Sequence, residues 1–346
     1  MTQHQELAAL VRSVFAAATH KDPEDFDSDL WRTLTETGLS LVSTPEPTGG
    51  GGTVADAASV IVEAGAHAAQ VPLVETDLLA GWLAHQAGIE VPGGPLTAAR
   101  AQLDVAPDGV GGAVVNGTAR RVSWGRHASA ILLLTPSAVC VVRPAAASVA
   151  PGANLAGEPR DDIRIRDLRV RAENVGPATA GIWEEFAQRA ALGRALLITG
   201  AARSAIAASV SWAITRTQFG KPIGAFQAVQ QQLALAAAEV AAAEAATDAA
   251  LMRVGASGFG PGAGLAIAMA KARASQTATA VARCAHQVHG AIGMTYEHDL
   301  RTVTTRLWAW RDEDGSESYW NQQVGAAILA LPDDGVWPTI CSYGGT

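Results

Sequence analysis

Three long stretches without proline dominate the second half of this 346-residue chain. They run over residues 182–214, 227–253 and 265–288, and each is rich in alanine. Stretches of this length without a helix breaker predict long α-helices, and small side chains let such helices approach closely, as they do in bundles. A glycine-rich link over residues 255–264 should separate the second helix from the third. Residues 177–346 are therefore predicted to form a helical domain built on a four-helix bundle.

The first 93 residues also follow a helical pattern. The apolar residues Leu7, Leu10, Val11, Val14 and Phe15 recur at i, i+3, i+4, i+7 and i+8, which places them on one stripe of a helix. Four consecutive glycines, 49–52, resemble part of a phosphate-binding loop, but such a loop needs Gly-Lys-Ser/Thr at its end and the lysine is missing. The glycines are interpreted as a turn that precedes a helix.

Between residues 94 and 176 the pattern changes to short β-type runs at 114–115, 131–134 and 139–142. Over residues 163–170 apolar and charged residues alternate with one shift of phase, which predicts a strand with a β-bulge. We therefore expect a small antiparallel sheet or barrel in the middle of the chain. The predicted fold class is α+β and mostly α: an N-terminal helical domain over 1–93, a middle β domain over 94–176 and the C-terminal bundle.

Charge and cysteine content exclude several kinds of partner. The net charge is −8 with a pI near 5.5, and no basic stripe is present, so a nucleic-acid partner is not expected. The sequence contains no run of about 18 uncharged apolar residues, so no membrane span is expected. Residues 1–6 lack the basic start of a signal peptide. The cysteines Cys140, Cys284 and Cys341 are far apart and form no CxxC pair, which favours a reduced, cytoplasmic protein. His286 and His289 have no third ligand nearby in sequence, so no metal site is expected.

Two motifs in the helical region are the most specific feature of the sequence. The first runs from Arg216 to Gly224, and the second runs from Gln287 to His298 and begins Gln-Val-His-Gly-Ala-Ile-Gly. With these motifs, at the ends of long helices and in this order of segments, the chain resembles the acyl-CoA dehydrogenase family. The resemblance spans the whole chain and is strongest over roughly the last 150 residues. It implies FAD as cofactor and an acyl-CoA thioester as substrate, into which the enzyme introduces an α,β double bond.

The residue types in the two motifs suit a dinucleotide. An arginine provides a planar, permanently charged pair of donors for a pyrophosphate, and the aromatic ring offers a flat face. Glycines leave room where phosphate or ribose comes near the backbone. The predicted cofactor-binding residues are Arg216, Gln218, Phe219, Gln287, Gly290, Gly293 and Ser316. The alternative interpretation is structural, with the arginine at a helix C-terminus and the glycines as a helix stop.

In the family, the arginine motif of one subunit reaches an FAD held mainly by its neighbour. The resemblance therefore implies that Arg216 and Gln287 of touching protomers meet at one FAD, so that the working protein is a homo-oligomer or a heterotetramer with a homologous subunit. Electron-transfer flavoprotein is the electron acceptor that the resemblance implies.

The resemblance places the catalytic carboxylate directly before a glycine beyond the second motif. Asp314 stands at that position and Glu313 is its neighbour, so these two residues are the candidate bases. An aspartate is one methylene shorter than the usual glutamate, and proton transfer needs heavy atoms about 3 Å apart. The alternative position of the base, on the first long helix of the bundle, corresponds to Ala190, which cannot accept a proton. An acidic surface loop without catalytic function is the competing interpretation.

The middle segment departs from the family pattern that lines the flavin. The usual Thr-Glu-Pro…Gly-Ser stretch is replaced by residues 93–99 without an acid, and Trp124 is only a loose candidate for the flavin-shielding tryptophan. In these departures the chain resembles the degenerate subunit of mixed α2β2 dehydrogenases that act on steroid side chains and other bulky acyl-CoAs.

Three hypotheses follow from the sequence. The chain is an FAD-dependent acyl-CoA dehydrogenase with Asp314 or Glu313 as base; or it is a non-catalytic subunit that completes the FAD site of a partner; or it keeps the fold for another flavin reaction or as a scaffold.

Overall fold

The structure is a computed structural model that describes residues 3–18, 25–332 and 334–341. The chain divides into two compact units: Met1–Val60 with Gln70–Ala190, and Ile61–Ala69 with Ala191–Thr346. The first unit contains most of the N-terminal helices together with all strands of the middle segment, and the second contains most of the C-terminal helices. The division into three domains expected from the sequence, with boundaries after residues 93 and 176, stays a prediction.

The helices of the N-terminal segment are α1 (Gln3–Ala17), α2 (Ser28–Glu36), α3 (Val54–Ala66) and α4 (Trp82–Ala87). A π-helix over Val74–Gly81 leads directly into α4. The apolar stripe predicted for α1 is confirmed, because Val11, Val14 and Phe15 are buried, although Leu10 is 40% exposed.

The glycine run before α3 forms a turn, as predicted. Its amides donate to carbonyls of the same loop: Gly49 to Pro45, Gly50 to Leu41, Gly51 to Thr44 and Gly52 to Val42. A phosphate-binding loop needs such amides free to face the ligand. Because these four are already used, the structure agrees with the exclusion of a phosphate-binding loop.

The middle segment forms two four-stranded sheets. One has the order β1 (Leu96–Arg100), β4 (Ala130–Leu134), β5 (Ala138–Val142), β8 (Val175–Pro177); the other has the order β2 (Leu103–Pro107), β3 (Ala113–Ser123), β7 (Arg160–Val170), β6 (Ser148–Ala150). The expectation of purely antiparallel pairing was wrong at one place, since β1 and β4 are parallel. The chain crosses to the second sheet through β2 and β3 before it returns as β4, and this long connection permits a parallel pair.

The β-bulge predicted for residues 163–170 is confirmed. Val115 pairs with Leu168 and Gly117 pairs with Ile165, so that one residue of β3 faces two residues of β7. Asp167, one of these two, has a φ of +46°, and its backbone N–H donates to Oδ1 of Asn116 at 2.7 Å. This bond compensates the strand pairing that the bulge removes.

The second unit consists of long helices around one central helix. In chain order, the C-terminal segment forms α5 (Ile182–Thr215), β9 (Thr217–Gln218), β10 (Lys221–Pro222), α6 (Gln227–Ser257), α7 (Pro261–His289), α8 (Leu300–Asp312), α9 (Glu317–Leu329) and α10 (Val336–Cys341). Helix α7 packs against α6, α8 and α9. The link between α6 and α7 is shorter than predicted, because α6 continues to Ser257 and Pro261 occupies the first turn of α7, where proline fits a helix.

By length and composition alone, α5 is the one helix within the described residues that is apolar enough to cross a membrane. Residues 190–202 of α5 are buried inside the protein without interruption. The apolar character of this helix therefore matches its place in the core of the helical region.

Candidate functional site

The first motif forms an exposed β-hairpin between α5 and α6. The two-residue strands β9 and β10 pair antiparallel, with Phe219 and Gly220 as the turn. Both turn residues have positive φ, +51° and +81°, as a two-residue turn of this kind requires. Phe219 is 92% exposed and contacts the edge of Phe226 at a centroid distance of 6.2 Å. Because an apolar ring is left in solvent at the tip, the hairpin has the character of a contact surface.

Arg216 lies at the base of this hairpin with its charge available. Its side chain is exposed, and its guanidinium lies over the ring of Trp212 at 5.9 Å. It forms no ion pair with any residue that the structure describes. Gln218, two residues further along, is exposed as well. Arg216 directly follows Thr215, the last residue of α5, so the structural alternative of a cation at a helix C-terminus also agrees with its position.

The second motif lies at the C-terminus of α7. Gln287 is exposed in the last turn of the helix, and Gly290, with a φ of +68°, ends it. A side chain at Gly290 would meet nothing within 4 Å, so the surface beside it is open. Gly293 differs, because a Cβ there would lie 2.9 Å from atoms of His289 and Leu300. Its small size is thus required by packing, and its predicted contact with a cofactor stays a prediction.

Trp212 connects the two motifs within one protomer. Its ring stacks on His289 at 5.3 Å and meets the edge of His298 at 5.7 Å, while Arg216 lies over the same ring. Trp212 was not among the residues predicted from the sequence. A signal was available, since Trp212 lies four residues before Arg216, in the last turn of the helix that leads into the first motif.

His289 is a buried histidine in the middle of this cluster. It is 6% exposed, its Nδ1 lies 2.8 Å from the carbonyl oxygen of Ala285, and its Nε2 is buried without a hydrogen-bond partner among the described residues. Burial lowers the pKa of His289 below its ordinary value of 6.5.

We expect the substitution His289→Phe to make folding less sensitive to acid. Because the pKa of His289 is lowered in the folded state, the unfolded state takes up the proton first as pH falls below about 6.5, and the free energy of unfolding then decreases. Phenylalanine can keep the stack on Trp212 and removes this titration. Melting temperature measured from pH 5 to pH 7.5 should fall less steeply for the variant than for the wild type. His85→Phe, at an exposed histidine of α4, is the control, and equal slopes for the wild type and His289→Phe would contradict the assignment.

The acidic turn between α8 and α9 holds both candidate bases. Asp314 has a φ of +53°, and its Oδ2 accepts a hydrogen bond from Nε of Arg194 at 2.9 Å. The Oε2 of Glu313 lies 3.6 Å from Nη1 of the same arginine. Arg194 is 4% exposed, whereas the side chains of Asp314 and Glu313 are 28% and 15% exposed. The two acids therefore share one buried arginine.

Ser316 directly follows this turn and caps α9. Its hydroxyl oxygen accepts from the backbone N–H of Tyr319 at 3.3 Å, which is the usual role of a serine at the first position of a helix. Its predicted contact with a cofactor stays a prediction.

Glu185, which lies on the same helix five residues before the alternative base position at Ala190, is already paired and is not free to replace it. Ala190 itself is buried. Glu185 forms an ion pair with Arg189 at 2.8 Å, and Arg189 also lies over the ring of Trp82 at 4.4 Å. Burial lowers the pKa of Arg189 to about 10, which leaves it charged at neutral pH.

Trp124, the candidate flavin shield, is 3% exposed and packs against Phe26 and His127. This environment gives the tryptophan a role in the core of the first unit and does not support the shield interpretation. Among the described residues, no group of three or more His, Cys, Asp or Glu side chains is placed to hold a metal ion.

Comparison with known proteins gives consistent matches. Residues 183–329 match the model of the acyl-CoA dehydrogenase C-terminal domain. Acyl-CoA dehydrogenase IpdE2 of Mycobacterium tuberculosis is 30% identical over 293 residues, which cover 81% of this chain and 80% of the relative.

Two solved structures show the same fold. The ChsE4–ChsE5 complex from Mycobacterium tuberculosis matches with a TM-score of 0.84 at 23% identity, covering 96% of this chain and 99% of the other. A variant of the Tcur3481–Tcur3483 steroid acyl-CoA dehydrogenase matches with a TM-score of 0.83 at 24% identity, covering 94% and 98%. The predicted fold class is thereby confirmed. Since the similarity to IpdE2 extends over most of both sequences, the chain belongs to the acyl-CoA dehydrogenase family, whose members are flavoproteins that oxidise acyl-CoA thioesters.

Proposed function

We propose that this chain is one component of an FAD-dependent acyl-CoA dehydrogenase whose flavin site is completed between this chain and a homologous partner chain. The observation that carries the proposal is the exposed hairpin, which presents Arg216 without a carboxylate partner among the described residues and Phe219 with 92% of its surface in solvent. An unpaired cation beside an exposed aromatic ring is suited to a ligand or a neighbouring chain and contributes little to its own fold.

The donor set of the two motifs fits FAD. Arg216 offers two parallel N–H donors to a pyrophosphate, and Gln287 offers both a donor and an acceptor to ribose or to a ring edge. The open backbone at Gly290 allows close approach beside Gln287. When bound, FAD supplies the acceptor for the hydride that leaves the acyl chain. The residues of this chain would bind and orient the dinucleotide.

The substrate that we propose is a bulky acyl-CoA of the steroid type. One structural relative is the ChsE4–ChsE5 complex, and another, Tcur3481–Tcur3483, is a steroid acyl-CoA dehydrogenase. Residues 93–99 lack the acid that usually lines the flavin, which is consistent with a widened site. Electron-transfer flavoprotein is the proposed electron acceptor, and the cytoplasm is the proposed location.

The acidic turn bears on which chain supplies the base. A general base must bring a carboxylate oxygen to about 3 Å from the carbon that loses the proton. Oδ2 of Asp314 already accepts from Arg194, so reaching a substrate would break that bond. This geometry favours a base on the partner chain. The second candidate, an active chain that uses Asp314 or Glu313, is favoured by the position of both acids on one turn next to Ser316.

Co-expression tests the proposal directly. The chain should be purified alone and after co-expression with a homologous acyl-CoA dehydrogenase chain, and FAD should be counted per protomer. We expect little FAD in the isolated chain, and in the pair a stable flavin that loses its oxidised absorbance when a steroid-type acyl-CoA is added. A chain that alone binds one FAD per protomer and turns over the substrate would contradict the proposal.

A further inference from the structure

Lys271 is a fully buried lysine whose three donors are all used. It lies on α7 with no exposed surface. Its Nζ donates to Oγ of Ser275 at 3.0 Å, to the carbonyl oxygen of Arg311 at 2.9 Å and to the carbonyl oxygen of Gly315 at 2.8 Å. A buried ammonium is costly unless it is fully hydrogen-bonded, so this arrangement needs an explanation beyond the packing of α7.

The two carbonyl groups lie on opposite sides of the acidic turn. The carbonyl of Arg311 belongs to the last turn of α8, where no helical N–H can reach it, and Gly315 follows the turn. A cation at this place also suits the negative end of the helix. Ser275 reinforces the contact, because its hydroxyl donates to the carbonyl of Arg311 at 3.0 Å. Lys271 therefore fixes the distance between the end of α8 and the start of α9.

The turn needs such support because its backbone is strained. Asp314 adopts a φ of +53°, in the left-handed region that side-chain-bearing residues avoid, and Gly315 adopts +98°. A Cβ at Gly315 would lie 2.3 Å from Nε1 of Trp320. The same Nε1 donates to the carbonyl of Asp314 at 2.9 Å. The conformation persists because Lys271, Trp320 and Arg194 each hold a different atom of the turn.

We infer that Lys271 is a positioning residue for the flavin site: by bridging the carbonyls of Arg311 and Gly315, it holds Asp314 against Arg194 and sets Ser316 at the start of α9. This inference rests on the proposed function, in which this chain helps to bind FAD, and on the predicted contact of Ser316 with that cofactor. Lys271 touches neither substrate nor cofactor in this role. Lys271 affects turnover by fixing the conformation of the acidic turn.

The charge of Lys271 makes the effect dependent on pH. The charged groups around its Nζ are Asp314, Arg194, Asp312 and Glu313, and burial lowers the pKa of Lys271 to about 8. Loss of the proton leaves two N–H donors for three acceptors, so the turn should loosen as pH rises through about 8. Global stability changes in the opposite direction. Between pH 8 and 10.5 the unfolded state binds more protons, so the free energy of unfolding rises with pH.

The substitution Lys271→Met tests whether Lys271 acts on the acidic turn and flavin reduction or only on the stability of the whole fold. Methionine fills a similar volume without donors, and it removes the cost of burying a charge. We expect only a small change in the global stability of the FAD-loaded assembly, because the carbonyl of Gly315, left without its donor, offsets the removed cost of the buried charge. The substitution removes all three hydrogen bonds of Lys271, so hydrogen–deuterium exchange over residues 311–320 should become at least about 10-fold faster, which corresponds to about 1.4 kcal/mol. Flavin reduction should slow by about 10- to 100-fold, and the change in rate near pH 8 should disappear.

Thr247→Val is the matched control, since Thr247 is buried and bonds only to carbonyls of its own helix, α6. It should leave both exchange over 311–320 and flavin reduction as in the wild type. Wild-type exchange and wild-type reduction in Lys271→Met would overturn the inference, and so would fast exchange with an unaltered reduction rate.

Two further results remain decisive. Should Lys271→Met fail to fold, Ser275→Ala removes one contact and keeps the ammonium; faster exchange over the turn then supports the inference, and unchanged exchange overturns it. Should the wild-type assembly reduce no flavin at all, the proposed function fails. The exchange measurement on the unliganded chain would then still show whether Lys271 holds the turn.

Discussion

Replacing Arg216 by alanine should remove most of the FAD from the assembled enzyme, weakening its binding by roughly 30- to 5,000-fold. This range corresponds to the 2–5 kcal/mol that truncation of one partner in a desolvated charge pair usually costs. In the structure of the isolated chain, Arg216 is exposed and has no carboxylate partner among the described residues. Its substitution should therefore leave the fold intact and act on the ligand alone.

The measurement is a titration of the FAD-free assembly with FAD, followed by flavin fluorescence. Arg216→Lys keeps the charge and loses the fork of two donors, so its affinity should fall between wild type and alanine. Arg120→Ala removes an exposed arginine of β3 and should bind FAD as the wild type does. If Arg216→Ala retained wild-type affinity, the hairpin would have no part in FAD binding. The exposed Arg216 would then no longer support the proposed function.

Much of the fold could be predicted because the signals are local. The lengths of α5, α6 and α7 follow from the absence of proline inside 182–214, 227–253 and 265–288. The bulge in β7 follows from one phase shift in an alternating pattern. The position of the first motif, directly after α5, follows from the family resemblance, although its hairpin was not predicted. Each of these features is decided by residues a few positions apart, so the sequence contains the relevant information in one place.

The parts that could not be predicted depend on contacts between distant positions. β1 and β4 are parallel neighbours because the strands between them in the chain, β2 and β3, belong to the other sheet. The alternation of apolar and polar residues within a strand does not show to which sheet that strand belongs. Arg194 and Asp314 are separated by 120 positions, and Lys271 is 44 positions from Gly315. In the sequence, Arg194 and Lys271 resemble ordinary charged residues on helices. Only their burial in the structure shows that each holds a specific atom of the acidic turn.

The contacts of the acidic turn bear on the role that is assigned to Asp314. A carboxylate before glycine was predicted as the base by resemblance to the family, and the residue is present as Asp314. In the structure its carboxylate binds Arg194, its carbonyl binds Trp320, and the carbonyl of the next residue binds Lys271. A residue whose carboxylate and backbone carbonyl are both held in this way is suited to keep a turn in shape. Its assignment as the base stays a prediction that stability and turnover can test separately.

Replacing Arg194 by methionine should lower the free energy of unfolding by about 2–3 kcal/mol. Removal of one partner from a fully buried ion pair costs about 3–5 kcal/mol, and the partial exposure of Asp314 and Glu313 reduces this through solvent screening. The melting temperature should fall by about 4–12 °C for a unit of this size. Urea denaturation gives the free energy, and Arg203→Met, at an arginine that is 47% exposed and paired with Glu63, is the control with a change of at most about 1 kcal/mol.

The double substitution Arg194→Met with Asp314→Asn shows what the acid does. Once the arginine is gone, Asp314 is a partly buried charge without its partner, so the neutral asparagine should recover part of the lost stability. On its own, Asp314→Asn should keep turnover of the assembled enzyme within about threefold of wild type if, as we propose, the partner chain supplies the base. The same holds for Glu313→Gln. A loss of about 10²- to 10⁴-fold in either variant, with the stability of the assembly retained, would identify that residue as the proton acceptor and assign the chemistry to this chain.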